Sequence, residues 1–261
     1  MKYRILYTCV SHPGKARKVN QDNFICNGRY MALSGEAITF PLRGVCSSED
    51  ISLFGIFDGM GGEACGEIAS HIAAQNASAI SLQQDGAEVL SAFCQKTNQD
   101  ICDFSARNGI GSAGTTAAML LFSGKVHLCN IGDSKIFLFR RGVLHQLSAD
   151  HICPAPFGVK PSLSQSLGMP PEEARIAPFF LRKGYADGDR YLICSDGLTD
   201  MVSAEEIERV LNAFAGQDAV AQLLDLALEN GGKDNVTILL CEIEKDPFRL
   251  FQANPLRKRE E

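Results

Sequence analysis

A chain of 261 residues with 45% hydrophobic and 21% charged side chains can bury a sizeable core, as one large domain or two small ones. Its net charge of -6 speaks against a binder of nucleic-acid backbone, which needs a basic face, and agrees with a protein that clusters carboxylates around divalent cations. None of the ten cysteines stands in a Cys-x-x-Cys pair and most lie in apolar runs, so reduced, buried cysteine in a cytoplasmic protein is expected rather than a zinc site.

The N-terminal stretch does not read as a signal peptide, and no apolar run reaches the roughly 18 residues that cross a bilayer. Residues 3–10 and 23–30 predict strands. Residues 31–50 are mixed and rich in turn formers, and predict a loop or irregular hairpin. Residues 51–57 form an apolar run stopped at Asp58-Gly59, a strand ended by turn chemistry. Residues 63–81 and 87–107 carry apolar and small side chains at helical spacing. Strands are expected over 115–122, 125–131, 135–140 and 143–147, with hairpin turns at Ser123-Gly124 and Arg141-Gly142.

Residues 151–188 hold prolines at 154, 156, 161, 170, 171 and 178 and read mostly as a long excursion, a length that is often functional. A strand over 190–194, helices over 204–214 and 218–228, and a last strand over 236–243 follow. No internal repeat or low-complexity linker is present. Hairpin strands separated by a few long helices predict an α+β fold of antiparallel sheets covered by helices. One domain over residues 1–245 and a charged tail over 246–261 are expected.

Aspartates mark the ends of the apolar strands. Asp58, Asp133 and Asp196 follow such runs and Asp234 precedes one, each beside a glycine or asparagine. One aspartate at a strand end is usually a turn residue or a cap. Strands of one sheet can bring their ends together, and carboxylates gathered at one rim repel unless a cation neutralises them. Magnesium or manganese, which take oxygen ligands, suit such a rim. Asp58-Gly-Met-Gly-Gly62 adds glycines that allow close backbone approach, and Gly59 can offer its carbonyl oxygen to a metal. Arg17, just before Asn20-Gln-Asp22, has the fork that grips phosphate bidentately, although a lone arginine is more often a surface charge.

Taken in order, Arg17-Lys-Val-Asn-Gln-Asp22, Phe57-Asp-Gly-Met-Gly-Gly62, Gly114-Thr-Thr116, Asn130-Ile-Gly-Asp-Ser134, Leu147-Ser-Ala-Asp-His151, Cys194-Ser-Asp-Gly-Leu198 and Gly232-Lys-Asp-Asn235 resemble the metal-dependent type-2C protein phosphatases, the PPM family. The match spans nearly the whole chain, and the order and spacing of the motifs carry it. The resemblance implies a β-sandwich of two antiparallel sheets with helices on both outer faces (α-β-β-α). It implies a core of two manganese or magnesium ions, bridged by Asp58, one of them bound by the Gly59 carbonyl and the other completed by Asp196 and Asp234.

On the same resemblance Asp22 acts through metal-bound water, Arg17 holds the substrate phosphate, and Asp133 helps bind a third metal, as in bacterial members. Met60 stands where animal members have histidine, which places the chain with the bacterial branch and removes a candidate general acid. Gln21 stands where many members have glutamate, which weakens one water-mediated metal contact. Residues 152–170 match the family's flap only through Leu163-Ser-Gln-Ser-Leu-Gly168, so a short flap is expected.

The implied activity is hydrolysis of phosphoserine and phosphothreonine in proteins, targets of a cognate kinase, with neither nucleic acid nor membrane as partner. Enzymes accelerate phosphate-monoester hydrolysis by up to ~10²¹-fold, whereas one general acid or base supplies about 10²–10⁴-fold. Metals must therefore carry most of the catalysis, through a metal-bridging hydroxide attacking phosphorus in line. No cysteine stands in a Cys-x5-Arg loop, which speaks against a cysteine phosphatase. Two other readings stay open. A catalytically dead member serving as a binding module would need a lost metal ligand, and a metal-dependent nuclease or small-molecule phosphohydrolase would favour a nucleotide over a phosphopeptide.

Overall fold

Residues 117–122 carry no polar side chain, and the fold explains why. The computed structural model describes residues 2–33, 38–60, 65–81, 86–111, 113–156, 159–170, 172 and 175–246. Ala118, Leu120 and Phe122 enter a core between two sheets, while Ala117, Met119 and Leu121 enter a second core beneath helices. Alternate side chains of a strand point to opposite faces, so a strand buried on both faces shows no apolar–polar alternation.

In chain order the elements are β1 (Tyr3–His12), β2 (Asp22–Cys26), β3 (Ile38–Ser47), β4 (Ser52–Asp58), α1 (Gly66–Ser78), α2 (Gly86–Asn108), β5 (Ala117–Phe122) and β6 (Val126–Ile131). β7 (Lys135–Arg140), β8 (Val143–Gln146), β9 (Phe179–Lys183), β10 (Arg190–Cys194), α3 (Asp196–Thr199), α4 (Ala204–Ala213), α5 (Gly216–Glu229) and β11 (Val236–Lys245) complete them. One sheet runs β3-β1-β11-β10-β7-β8 and the other β2-β4-β5-β6-β9, with antiparallel pairing throughout. Helices α1 and α2 cover the second sheet, and α3, α4 and α5 cover the first. This is the expected α-β-β-α sandwich.

The layers follow from the side chains. β10 sends Tyr191 and Ile193 between the sheets and Leu192 and Cys194 under the helices, and β4 divides Phe54 and Ile56 from Leu53 and Phe57 in the same way. Each such buried side chain contributes about 1.5–3 kcal/mol. Helix α1 presents Ala69, Ala73 and Ala77, small enough to let it lie close on β2 and β4. Helix α4 opens with a capping box between Ser203 and Glu206.

The structure departs from the sequence reading in four places. Residues 38–47, within the stretch expected as a loop or irregular hairpin, form edge strand β3 beside β1. Pro41 obscured it, yet an edge strand tolerates proline, and the ladder slips between Cys9 and Ser11. The strand expected to reach residue 30 stops at Cys26, because Asn27 and Gly28 turn the chain with φ of 48° and 86°. The excursion contains β9, paired with β6, whose half-exposed edge pattern gave no signal among the prolines. The four residues of α3 are too short to show a helical period. Part of the glycine run (Gly61, Gly62), the predicted helix start at 63 and the tail from 247 lie outside the described residues.

Candidate metal and phosphate site

The ends of strands from both sheets deliver the five aspartates picked out from the sequence to one rim of the sandwich. Asp58 closes β4 directly opposite Asp22, which opens β2. Asp133 lies just past β6, Asp196 begins α3 just past β10, and Asp234 stands just before β11. Asp58, Asp133, Asp196 and Asp234 line a cleft of about 670 Å³ together with Arg17, Gly59 and Met60. A larger groove of about 870 Å³ runs along α2 and β9 past Cys94, Arg175 and Phe180, but no carboxylate among the described residues lines it. Chemistry, not volume, singles out the smaller cleft.

The backbone around Asp58 is fixed on several sides. Its N–H donates to Thr116 Oγ1 at 3.0 Å and its carbonyl accepts from Thr116 N and Thr115 Oγ1 at 2.9 Å. Gly59 donates to the Gln21 carbonyl, and a β-carbon there would lie 2.3 Å from the Gly66 carbonyl oxygen and 2.5 Å from that of Gln21. Only glycine permits this approach of α1 to the start of β2. Gln21 turns its amide to Glu67 at 3.1 Å, so its side chain serves α1.

Asp22 sits in a buried polar network absent from the sequence reading. Its Oδ2 accepts from Thr237 Oγ1 at 2.6 Å and Ser195 Oγ at 2.8 Å, and Thr237 is tied through Ser11 to Asn20. Its Oδ1 is buried and has no hydrogen-bond partner among the described residues. Asn235 clamps the loop that carries Arg17, donating to the Pro13 and Val19 carbonyls at 3.0 Å and accepting from Gln21 N at 2.8 Å. A lone hydroxyl within an apolar strand, as in Val236-Thr-Ile-Leu239, was the available signal for Thr237.

The electrostatics are those of crowded acids. Burial, then Asp22, Asp196, Asp133 and Asp234, pushes the Asp58 carboxyl well above the usual carboxylate range. Asp22 rises to about 7, chiefly through burial, against the pull of its Thr237 and Ser195 donors. Burial and then Asp196 raise Asp133 to about 6. Asp196 is raised by burial, opposed by Lys160. Two cations lean on the cluster: Arg17 Nη2 lies 2.8 Å from Asp234 Oδ2, and Lys160 Nζ lies 2.5 Å from Asp196 Oδ2 and 2.9 Å from Asp200 Oδ2.

An all-oxygen donor set, mutually repelling acids and the unpartnered Asp22 Oδ1 fit a magnesium or manganese centre. As the side chains stand, no three His, Cys, Asp or Glu among the described residues close on a common point. Asp196 and Asp234 are engaged through Oδ2 by Lys160 and Arg17, so a metal there would take Asp196 through its other oxygen and Asp234 once Arg17 releases it.

Comparisons with known proteins bear on the fold and the family. The protein phosphatase 2C family model matches residues 26–154. The serine/threonine phosphatase stp of Listeria monocytogenes is 30% identical over 213 residues, 72% of this chain and 82% of that protein. The serine/threonine protein phosphatase PstP of Mycobacterium tuberculosis is 28% identical over 258 residues, 91% of this chain, which spans only 45% of that protein's length. The crystal structure of PstP from Mycobacterium tuberculosis superposes with a TM-score of 0.75 at 27% identity, covering 92% of this chain and 99% of the other. A PstP catalytic domain in complex with two manganese ions superposes with a TM-score of 0.73 at 27% identity, covering 93% of this chain and 100% of the other. The chain belongs to the protein phosphatase 2C family.

Proposed function

We propose that residues 1–245 form a metal-dependent phosphatase domain that hydrolyses phosphoserine and phosphothreonine in proteins. The observation that carries this reading is the convergence of five buried or partly buried aspartates from both sheets beside Arg17. Asp58 and the Gly59 carbonyl, with Asp196 and Asp234, would hold two manganese or magnesium ions. Such ions supply water activation and charge neutralisation for phosphoryl transfer. The manganese-bound PstP domain supports the choice of metal.

The chain's own groups do the rest. Arg17 grips the non-bridging phosphoryl oxygens once it leaves Asp234, orienting phosphorus at the cleft. Asp22, held by Thr237 and Ser195, orients water through its free oxygen. Met60 offers no proton at the cleft, so none is routed through it. The partners are phosphoproteins, targets of a cognate kinase, and the net charge of -6 disfavours nucleic acid. Ten free cysteines support a reducing, cytoplasmic setting, and no helix among the described residues is long and apolar enough to cross a membrane.

The test is turnover of a phosphothreonine peptide beside a nucleotide monophosphate. A chelator should abolish peptide hydrolysis, manganese or magnesium should restore it, and Asp58→Ala should stay inactive while folded. Full activity in metal-free protein, or a preference for the nucleotide, refutes the proposal.

A further inference from the structure

The excursion after β8 is pinned back on itself. Cys153 N donates to the Ser162 carbonyl at 2.8 Å, Ser164 N to the His151 carbonyl at 2.9 Å, and Ile152 and Leu163 form a bridge. Lys160 stands two residues before Ser162, and its ammonium reaches Asp196 at 2.5 Å and Asp200 at 2.9 Å. Lys160 lines both the central cleft and an adjoining cavity of about 120 Å³ bordered by Asp133, Asp196 and Asp200. Its charge also favours the ionised form of Asp133. The neighbouring cations are already paired, Lys135 with Asp150 at 2.5 Å and Arg17 with Asp234 at 2.8 Å.

We propose that Lys160 is the chain's own cation at the outer position between Asp133, Asp196 and Asp200, so that the protein holds two divalent ions and its ammonium replaces a third. Lys160 engages only Oδ2 of Asp196. A carboxylate can present its second oxygen to another cation, so Asp196 joins the two-ion core and the lysine at once. An ammonium fixed there repels any further divalent ion. The same pairing ties the segment carrying Lys160 down beside the cleft. Asp133 therefore faces a lysine, which revises the third-metal role expected for it. No feature of the proline-rich stretch marked Lys160 in the sequence.

This inference rests on the two-ion reading above, and calorimetric titration of metal-stripped protein with manganese separates the two. Wild type and Lys160→Arg should bind two ions. Lys160→Met should bind three, the added one weaker, and Lys160→Met with Asp133→Asn should return to two. Lys160 is half-exposed on a loop, so the apolar cores are untouched, and matching melting curves in chelator check that the variants fold. Two ions in both wild type and Lys160→Met, or a third ion in wild type that Asp133→Asn removes, overturns the role of Lys160. No manganese bound to wild type refutes the two-ion reading itself.

Discussion

Asp22→Asn should stabilise the metal-free protein above neutral pH and leave it unchanged in acid. Asparagine keeps an oxygen for Thr237 and Ser195, so the hydrogen bonds survive and only the charge is lost. In the folded protein the Asp22 carboxyl titrates at about 7, against 3.8 for an unperturbed aspartate. An acid whose folded pKa is raised keeps its proton in the folded state while the unfolded chain has already lost it. Wild type and variant should therefore match below pH 4. Wild type should lose stability relative to the variant as pH rises from about 4 to about 7, and the gap should stay level above that.

At about 1.36 kcal/mol per pKa unit, the full gap is about 4 kcal/mol. For a chain of this size, a kcal/mol moves the melting temperature by about 2–4 °C, so the variant should melt roughly 10 °C higher at pH 8. The assay is thermal unfolding followed by circular dichroism in chelator, at half-unit steps from pH 2.5 to pH 8.5. A difference that is independent of pH, or that grows toward acid, would refute the reasoning.

Two further outcomes follow from the same geometry. Arg17→Ala should cut kcat/KM on a phosphopeptide by roughly 10- to 100-fold, the worth of a charge-assisted hydrogen bond, without weakening manganese, since the change frees Asp234 from a competing cation; loss of manganese affinity at unchanged KM, by calorimetry and kinetics, would contradict this. Gly197→Ala should place a β-carbon 1.9 Å from the Asn235 backbone oxygen and force α3 away from β11. Overpacking of this kind costs about 1–3 kcal/mol, and because Asp196 and Asp234 flank the contact, the urea midpoint and manganese affinity should fall together. A wild-type urea midpoint in this variant would show that the contact relaxes freely.

The sequence by itself determined the layers and the acids. Uninterrupted apolar runs such as 117–122 require burial on both faces, which two packed sheets under helices provide. Asp58, Asp133, Asp196 and Asp234 were legible because each breaks an apolar run at its end, and Arg17 and Gly59 because they stand in motifs of fixed order. Strands β3 and β9 were hidden, since edge strands bury too little to leave a pattern, and proline or half-exposed alternation masks them.

Only the tertiary structure decided what the acids lean on. Thr237 and Ser195 reach Asp22 from positions 215 and 173 residues away, and Lys160 reaches Asp196 across 36 residues of proline-rich chain. Local spacing carries no record of such meetings. They arise where β2, β10 and β11 end at one rim and a loop from β8 folds back over it, so they depend on how the two sheets pack and not on any single segment.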